Sequence, residues 1–263
     1  MNPPAKLPVS VCLIAGNEAL RIGRTLQSVA GWAAEIIVVI NHDVQDGTDK
    51  IAASFGAKVF REPWKGHIAQ KNSAAQKAGQ DWLLGLDADE VVSPELQEEF
   101  QRLFAGPEKC RRAAAFRFPR CTFYCGGWIR HGDWYPDYQT RLWRRGTAQW
   151  GGVDPHDKLL VNGSVGSLQG DLLHYSMENI EHQIQKTIRY ADVFVATCHA
   201  ENRRITFWQL LIRPPWRFIR GYLFKLGFLD GWRGLSVAWM TAFYTFLRYF
   251  KAIEAQNRKL PSE

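Results

Sequence analysis

The run Glu35-Ile-Ile-Val-Val-Ile-Asn41 limits the possible folds of this chain more than any other segment. Its unbroken β-branched stretch has no polar face, so it fits a strand buried on both sides, as in a parallel sheet covered by helices. Its surroundings alternate in the same sense. Val9 to Ala15 reads as a buried strand, and Ile22, Leu26 and Val29 then recur at helical spacing. Asp46-Gly-Thr-Asp49 reads as a helix start, with Asp46 as N-cap and Asp49 three residues on. Ala57 to Phe60 is a short strand, His67 to Lys77 a helix, and Asp81 to Leu86 a strand ending at Asp87. Ser93-Pro94 opens a further helix as N-cap and first residue. This order predicts an α/β fold with an open, mostly parallel sheet and helices on its faces.

Such sheets bind ligands beyond the carboxyl ends of their strands. Three polar clusters fall there: Asn17-Glu18, Asn41-His42-Asp43 and Asp87-Ala-Asp-Glu90. They are far apart in sequence and are predicted to share one rim. Alternate residues at a strand end direct the Asp87 and Asp89 carboxylates around that rim. Hard oxygens suit Mg²⁺ or Mn²⁺, and such an ion can clamp a diphosphate. An acidic surface turn is the alternative for Asp87–Asp89 taken alone, and the two companion clusters outweigh it.

From Ala113 to Trp150 the chain is rich in aromatics, Arg and Gly, with strand-like pieces such as Ala115 to Phe118. Gly151 to Pro155 reads as a loop leading to His156-Asp157. Glu178 to Ala200 reads as a helix with Ile180, Ile184, Ile188, Ala191 and Val195 on one stripe. From Arg203 to Ile253 there are nine Lys/Arg and one acidic residue, Asp230, so most of the net charge of +7 belongs to the tail. The five Cys lack zinc spacing and read as reduced thiols. The longest uncharged stretch, Gly234 to Leu247, has 14 residues, whereas a spanning helix needs about 20.

The chain resembles family 2 glycosyltransferases of GT-A fold, particularly the small bacterial enzymes of lipopolysaccharide core synthesis. The matching segments are Ser10 to Glu18, Glu35 to Val39, Asp46-Gly-Thr48, Phe55 to Phe60, Gln70-Lys-Asn72 and Leu86 to Glu90. Arg141 to Arg145, His156-Asp157, His174-Tyr-Ser176 and Gly227 to Gly231 continue the match through nearly the whole chain.

The resemblance implies an inverting transfer from a nucleotide diphosphosugar, a UDP-hexose, to a lipopolysaccharide-core or other lipid-linked glycan. Ala15, Asn17 and Glu18 would hold base and ribose, and Asn41 and Asp43 would contact uracil. Lys71 would approach the diphosphate, with a solvated helix lysine as the alternative. Asp87 and Ala88 would lie at the ribose and metal, Asp89 would ligate Mg²⁺ or Mn²⁺, and Glu90 would support the site. Asp157 is the expected base, with Asp154 the second choice. The family usually has Glu at the Asp157 position and Asp at the Asn41 position. His156, Arg141 and Trp134 are candidates on the acceptor side.

Residues 1–202 are expected to form the catalytic domain, with a donor half to about 112 and an acceptor half from 113. Residues 203–263 are expected to form a basic, aromatic, helical tail. Basic segments with Trp and Phe favour anionic membrane surfaces, and a helical cap on the protein's own core is the alternative. Nucleic acid is not an expected partner, because a basic patch alone does not explain Phe243 to Leu247. The expected location is cytoplasmic, peripheral on the inner face of the bacterial cytoplasmic membrane. A polyprenyl-phosphate glycosyltransferase and a non-catalytic sugar-nucleotide-binding protein are the competing readings.

Overall fold

A computed structural model describes residues 6–106, 110, 112–153, 156–177 and 180–257. The chain divides into two compact units: residues up to Arg120 with Asp137–His174, and Cys121–Pro136 with Tyr175 onward. The compositional boundary at 202/203 therefore falls inside the second unit.

The first unit opens with β1 (Leu7–Ala15), α1 (Ile22–Ala30), β2 (Ala33–Asn41), α2 (Thr48–Ser54), β3 (Lys58–Glu62), α3 (His67–Lys77) and β4 (Trp82–Leu86). These are the expected elements, with ends moved by one or two residues. Next come β5 (Glu90–Val92) and α4 (Pro94–Ala105), then β6 (Ala115–Tyr124), which runs on into the second unit and pairs there with β7 (Gly127–Ile129). The first unit resumes with β8 (Asp137–Arg144), β9 (Ala148–Val153), β10 (His156–Val161), β11 (Val165–Ser167) and β12 (Leu172–Met177), whose last residues belong to the second unit.

The sheet order is β3-β2-β1-β4-β8-β6-β12-β5, with β11 beside β6. The β1–β2, β2–β3 and β1–β4 pairs are parallel; β8 runs antiparallel to both β4 and β6. Both faces of β1, β2 and β4 are largely buried, whereas β3 is a half-exposed edge. Val9, Val11 and Leu13 meet Leu26 of α1 and Phe100 of α4, while Cys12, Ile37 and Val39 face Ala74 of α3, Trp143 and Trp150. Two-sided burial is what the β-branched run demanded.

Local chemistry sets the helix starts. Ser93 Oγ accepts from Leu96 N–H, with Pro94 in the first turn. Asp46 accepts from Thr48 N–H as expected, but the residue at the cap position is Gly47, at φ 93°. Gly151 to Val153 is not a loop: it is the end of β9, paired with His156–Lys158 of β10. Residues 154 and 155 lie outside those described.

The second unit contains α5 (Ile180–Ala200), α6 (Phe207–Ile219), a π-helical turn at Arg220–Phe224, a 3₁₀ turn at Gly227–Asp230, and α7 (Gly231–Asn257). A capping box between Thr206 and Gln209 starts α6. On α7 most inward residues are small, including Gly234, Ala238, Thr241, Ala242 and Thr245, with Val237 and the fully buried Tyr249 as the larger ones. The outward ones are large: Trp232, Leu235, Trp239, Phe243, Phe246 and Phe250. The Ile180, Ile184 and Ile188 stripe of α5 also points outward, while Gln183, Thr187 and Ala191 are buried. No described helix is long and apolar enough to cross a membrane.

Gly85, in β4 just before the acidic rim, has no room for a side chain. A Cβ there would lie 2.7 Å from the Trp150 ring and 3.2 Å from that of Trp143. Gly85→Ala is expected to destabilise the protein by about 1–3 kcal/mol in urea unfolding. An unchanged midpoint would mean that the two buried indoles yield freely.

Candidate active site

The rim forms where β1, β2 and β4 end side by side. The loop after β1 is held by α2: Thr48 Oγ1 accepts from Glu18 N–H at 2.9 Å and Asp46 from Ala19 N–H at 3.0 Å. Thr48 Oγ1 in turn donates to Asp46 at 2.6 Å. Asp46-Gly-Thr48 thus caps its own helix and clasps the neighbouring loop. Burial pushes the Glu18 carboxyl up; Arg21 opposes this, and the charges of Asp89 and Asp46 add to it. Glu18 and Asp89 therefore sense each other across the rim.

The loop after β4 is anchored from behind by Thr25 of α1, whose hydroxyl donates to the Ala88 carbonyl at 2.7 Å. Asp87 stands between two cations, with Lys71 Nζ at 2.7 Å from Oδ1 and Arg141 Nη2 at 2.7 Å from Oδ2. Lys71 Nζ also reaches Asp157 Oδ2 at 2.9 Å. Arg141 continues to the fully buried Glu90 at 2.8 Å, and Glu90 accepts from Asp87 N–H at 3.0 Å. Arg120 adds a contact to Glu90 at 3.3 Å and pairs with Asp137 at 2.7 Å. The Trp150 ring lies 4.7 Å from Lys71 Nζ and 5.3 Å from the Arg141 guanidinium, within cation–π range.

Burial disfavours an ionised Asp87, but Arg141 and Lys71 overcome it and hold its carboxyl well below the usual range. Burial likewise works against the Arg141 charge, and Asp87 and Glu90 more than restore it. The site is an ionic chain of alternating sign, Asp157–Lys71–Asp87–Arg141–Glu90.

The expected residues divide accordingly. Lys71, Asp87, Glu90 and Asp157 join in this chain. Arg141, expected at an acceptor surface, is buried inside it, and Arg144 and Arg145 are likewise bound to backbone carbonyls, at Cys110 for the first and at Ala78 and Gln80 for the second. Asn17 and Asp43 are exposed, and Ala15 is buried at the end of β1. The buried Asn41 Oδ1 has no hydrogen-bond partner among the described residues. Trp134 belongs to the second unit, where it packs edge-on against Tyr124 at 5.5 Å. The His156 side chain and all of Asp154 lie outside the described residues.

Two partners escape sequence reasoning: Trp150, which reads as core, and His174, whose Nε2 is 3.5 Å from Asp89 Oδ2. The His174-Tyr-Ser176 match was the available signal for the latter. No periodicity links β12 to the loop after β4. Among the described residues no group of three or more His, Cys, Asp or Glu gathers as a metal site. Asp89 and His174 form a pair of a hard oxygen and an imidazole that suits Mn²⁺ chemically, whereas both Asp87 oxygens are taken by cations.

Two expected outcomes test the ionic chain. Arg141→Ala leaves Glu90 buried beside Arg120 alone and should cost about 3 kcal/mol in denaturant unfolding. A depressed carboxyl stabilises the fold above its unfolded pKa of about 3.9, and that stability is lost as pH falls through the native value. Asp87→Asn should therefore lower stability at pH 7 and flatten its fall below about pH 4.

Comparison with known proteins places the chain in a family. Residues 10–159 match the model of glycosyl transferase family 2. An uncharacterized glycosyltransferase of Rickettsia bellii (strain RML369-C) is 30% identical over 94% of this chain and 86% of its own length. The lipopolysaccharide core biosynthesis glycosyltransferase LpsC of Rhizobium meliloti (strain 1021) is 27% identical over 93% and 94%. Among solved structures, the mannosyltransferase PcManGT of Pyrobaculum calidifontis, in complex with GDP-Man and Mn²⁺, superposes with a TM-score of 0.54 at 13% identity, covering 97% of this chain and 89% of that one. The chain belongs to glycosyltransferase family 2: it is a glycosyltransferase built on the GT-A fold.

Proposed function

We propose that the enzyme transfers a hexose from a UDP-sugar, with inversion, to a lipopolysaccharide-core or other lipid-linked glycan. The observation that carries this reading is the Lys71 bridge. It draws Asp157, from a distant hairpin, to the same ammonium as Asp87 of the acidic rim. A carboxylate held beside the donor site is what a single displacement at the anomeric carbon requires, because the acceptor hydroxyl must lose its proton as it attacks. Asp157 takes that proton. Lys71 holds Asp157 in place and balances charge near the departing diphosphate.

On the donor side, the unpartnered Asn41 Oδ1 supplies an acceptor for a base N–H, the role that a carboxylate fills elsewhere in the family. Asp89 and His174 would hold Mg²⁺ or Mn²⁺, which supplies Lewis-acid neutralisation of the leaving diphosphate. Asp87 acts through its cations, orienting Lys71 and Arg141. PcManGT was solved with GDP-Man and Mn²⁺, which supports a nucleotide-sugar donor and a divalent ion. The similarity to LpsC, a glycosyltransferase of lipopolysaccharide core biosynthesis, supports a core-oligosaccharide acceptor.

The same reading assigns the second unit to the inner face of the cytoplasmic membrane. Its outward stripe on α7 runs from Trp232 to Phe250, and on α6 Trp208, Ile212, Trp216 and Ile219 are also exposed. Exposed apolar area on this scale marks an interaction surface, and Trp and Phe among Arg suit the lipid interface.

Three measurements bear on the proposal. With UDP-sugars, a glycan acceptor and Mn²⁺, Asp157→Asn should lower kcat by about 10²–10⁴-fold. A near-normal rate would remove Asp157 as base and favour an already anionic polyprenyl-phosphate acceptor. Mn²⁺ with UDP should raise the melting temperature of the wild type but not of Asp89→Ala, since a ligand of the folded state stabilises by mass action. An equal rise in both would take the metal away from Asp89. In flotation at low salt the protein should travel with anionic vesicles, and the double variant Trp239→Ser, Phe243→Ser should not. Failure of the wild type to float would withdraw the membrane assignment.

A further inference from the structure

The hairpin of β9 and β10, which carries Asp157, forms a two-stranded sheet separate from the main one. Side chains therefore set its position relative to the acidic rim. Near its base, Trp150 belongs to the core cluster of Leu83 and Trp143, and Ala148, Leu159 and Val161 pack against that cluster. Toward the tip this apolar support ends, since Gly152 and Val153 are exposed.

Asn72 of α3 stands where the support ends. Its Nδ2 donates to the Trp150 carbonyl at 2.9 Å, and its Oδ1 accepts from the Trp150 N–H at 2.9 Å. One carboxamide thus pairs with both main-chain groups of one residue, as a neighbouring strand would. Trp150 lies opposite Leu159, and Gly152 lies opposite Asp157. The gripped residue is therefore two positions, about 7 Å, from the pair that holds Asp157. Lys71, the residue before Asn72, meets Asp157 Oδ2 at 2.9 Å. Consecutive residues of α3 hold the hairpin at two points, one through neutral hydrogen bonds and one through charge.

The two holds respond differently to the reaction. When Asp157 takes a proton its charge is gone, and its attraction to Lys71 falls with it. The Asn72 bonds involve no titrating group, so that proton leaves them unchanged. They also fix the Trp150 ring, which lies 4.7 Å from Lys71 Nζ and 5.3 Å from the Arg141 guanidinium. Misplacing a reacting group by about 1 Å can cost on the order of 10²-fold in rate. A hairpin held by Lys71 alone would be released at the moment when the transfer needs it fixed.

We propose that Asn72 is a positioning residue for the transfer. Through the Trp150 backbone it fixes the β9–β10 hairpin, and with it the Asp157 carboxylate, relative to Asp87 and the rest of the rim. It acts through Asp157, so the inference rests on the reading of Asp157 as base. It does not depend on the identity of the donor sugar or on the metal.

Two measurements on the full chain test this. In hydrogen exchange followed by mass spectrometry, Asn72→Ala should speed exchange in Ala148–Val153 and His156–Val161 about tenfold or more, with β1 and β4 unchanged. The second is a transfer assay with Mn²⁺, deacylated core oligosaccharide, and UDP-glucose or UDP-galactose, whichever the wild type turns over. There Asn72→Ala should lower kcat about 10²-fold and leave the donor KM within about twofold. In the Asp157→Asn background the same substitution should cost less than about twofold, because both changes then remove one function. Asn72→Asp keeps the acceptor for the Trp150 N–H and loses the donor to its carbonyl. It should act in the same direction, and it carries the test if Asn72→Ala fails to fold by circular dichroism. Full cost in the Asp157→Asn background, a donor KM that rises as far as kcat falls, or unchanged hairpin exchange overturns the positioning role. A near-normal rate in Asp157→Asn by itself is the failure of the base reading, and the inference falls with it.

Discussion

Glu90 is a carboxylate with no access to water, and the organisation of the acidic rim follows from keeping it charged. Ions leave water only at a cost of several kcal/mol each, so a buried charge must be answered by close partners. Arg141 is the main one, and once committed to Glu90 it also fixes Asp87. Asp87 recruits Lys71, and Lys71 recruits Asp157 from the β9–β10 hairpin. Each pair limits the positions of the next. The result is a connected array of charges on the edge of the sheet, the kind of arrangement that electrostatic catalysis uses.

The sheet supplies the platform. Parallel strands buried on both faces bring the ends of β1, β2 and β4 to one edge, and side-chain clasps fix the loops that leave them. Thr48 and Asp46 hold the Glu18 loop, and Thr25 holds Ala88. These bonds reach across 27 to 63 residues of sequence. They turn three separate polar clusters into one surface. Aromatic packing completes the support, since Trp150 fills the space that Gly85 leaves and turns its ring face toward Lys71 and Arg141.

The C-terminal unit is organised by a different rule. In α7 small residues line most of the inward face, with Tyr249 the buried aromatic, and the other large aromatic side chains point outward, largely the reverse of a water-facing helix. Its cations turn inward to find partners: Arg213 donates to Tyr249, Arg233 to the Cys125 carbonyl, and Arg217 and Arg220 face Asp133. Close helix packing becomes possible through Gly, Ala and Thr, and the apolar side chains are left for another solvent or partner. The proposed membrane role rests on that inversion.

The sequence by itself determined the fold and the rim. β-branched runs, helical spacing and Pro or Asp caps act over a few residues, so β1 to α4 could be read directly, and so could the clusters at the strand ends. Asp87 to Glu90 and Asp157 were also legible, the latter through a resemblance spread along the whole chain. Tertiary structure decided the pairings: Lys71 with both Asp87 and Asp157, Arg141 inward to Glu90, and His174 beside Asp89. It also decided that the Ile180, Ile184 and Ile188 stripe faces outward while Gln183, Thr187 and Ala191 are buried. Periodicity shows which residues share a face, but not what that face meets. Charge pairing between distant segments has no period at all, so it becomes visible only when the chain has folded and desolvation has forced each ion to choose its neighbour.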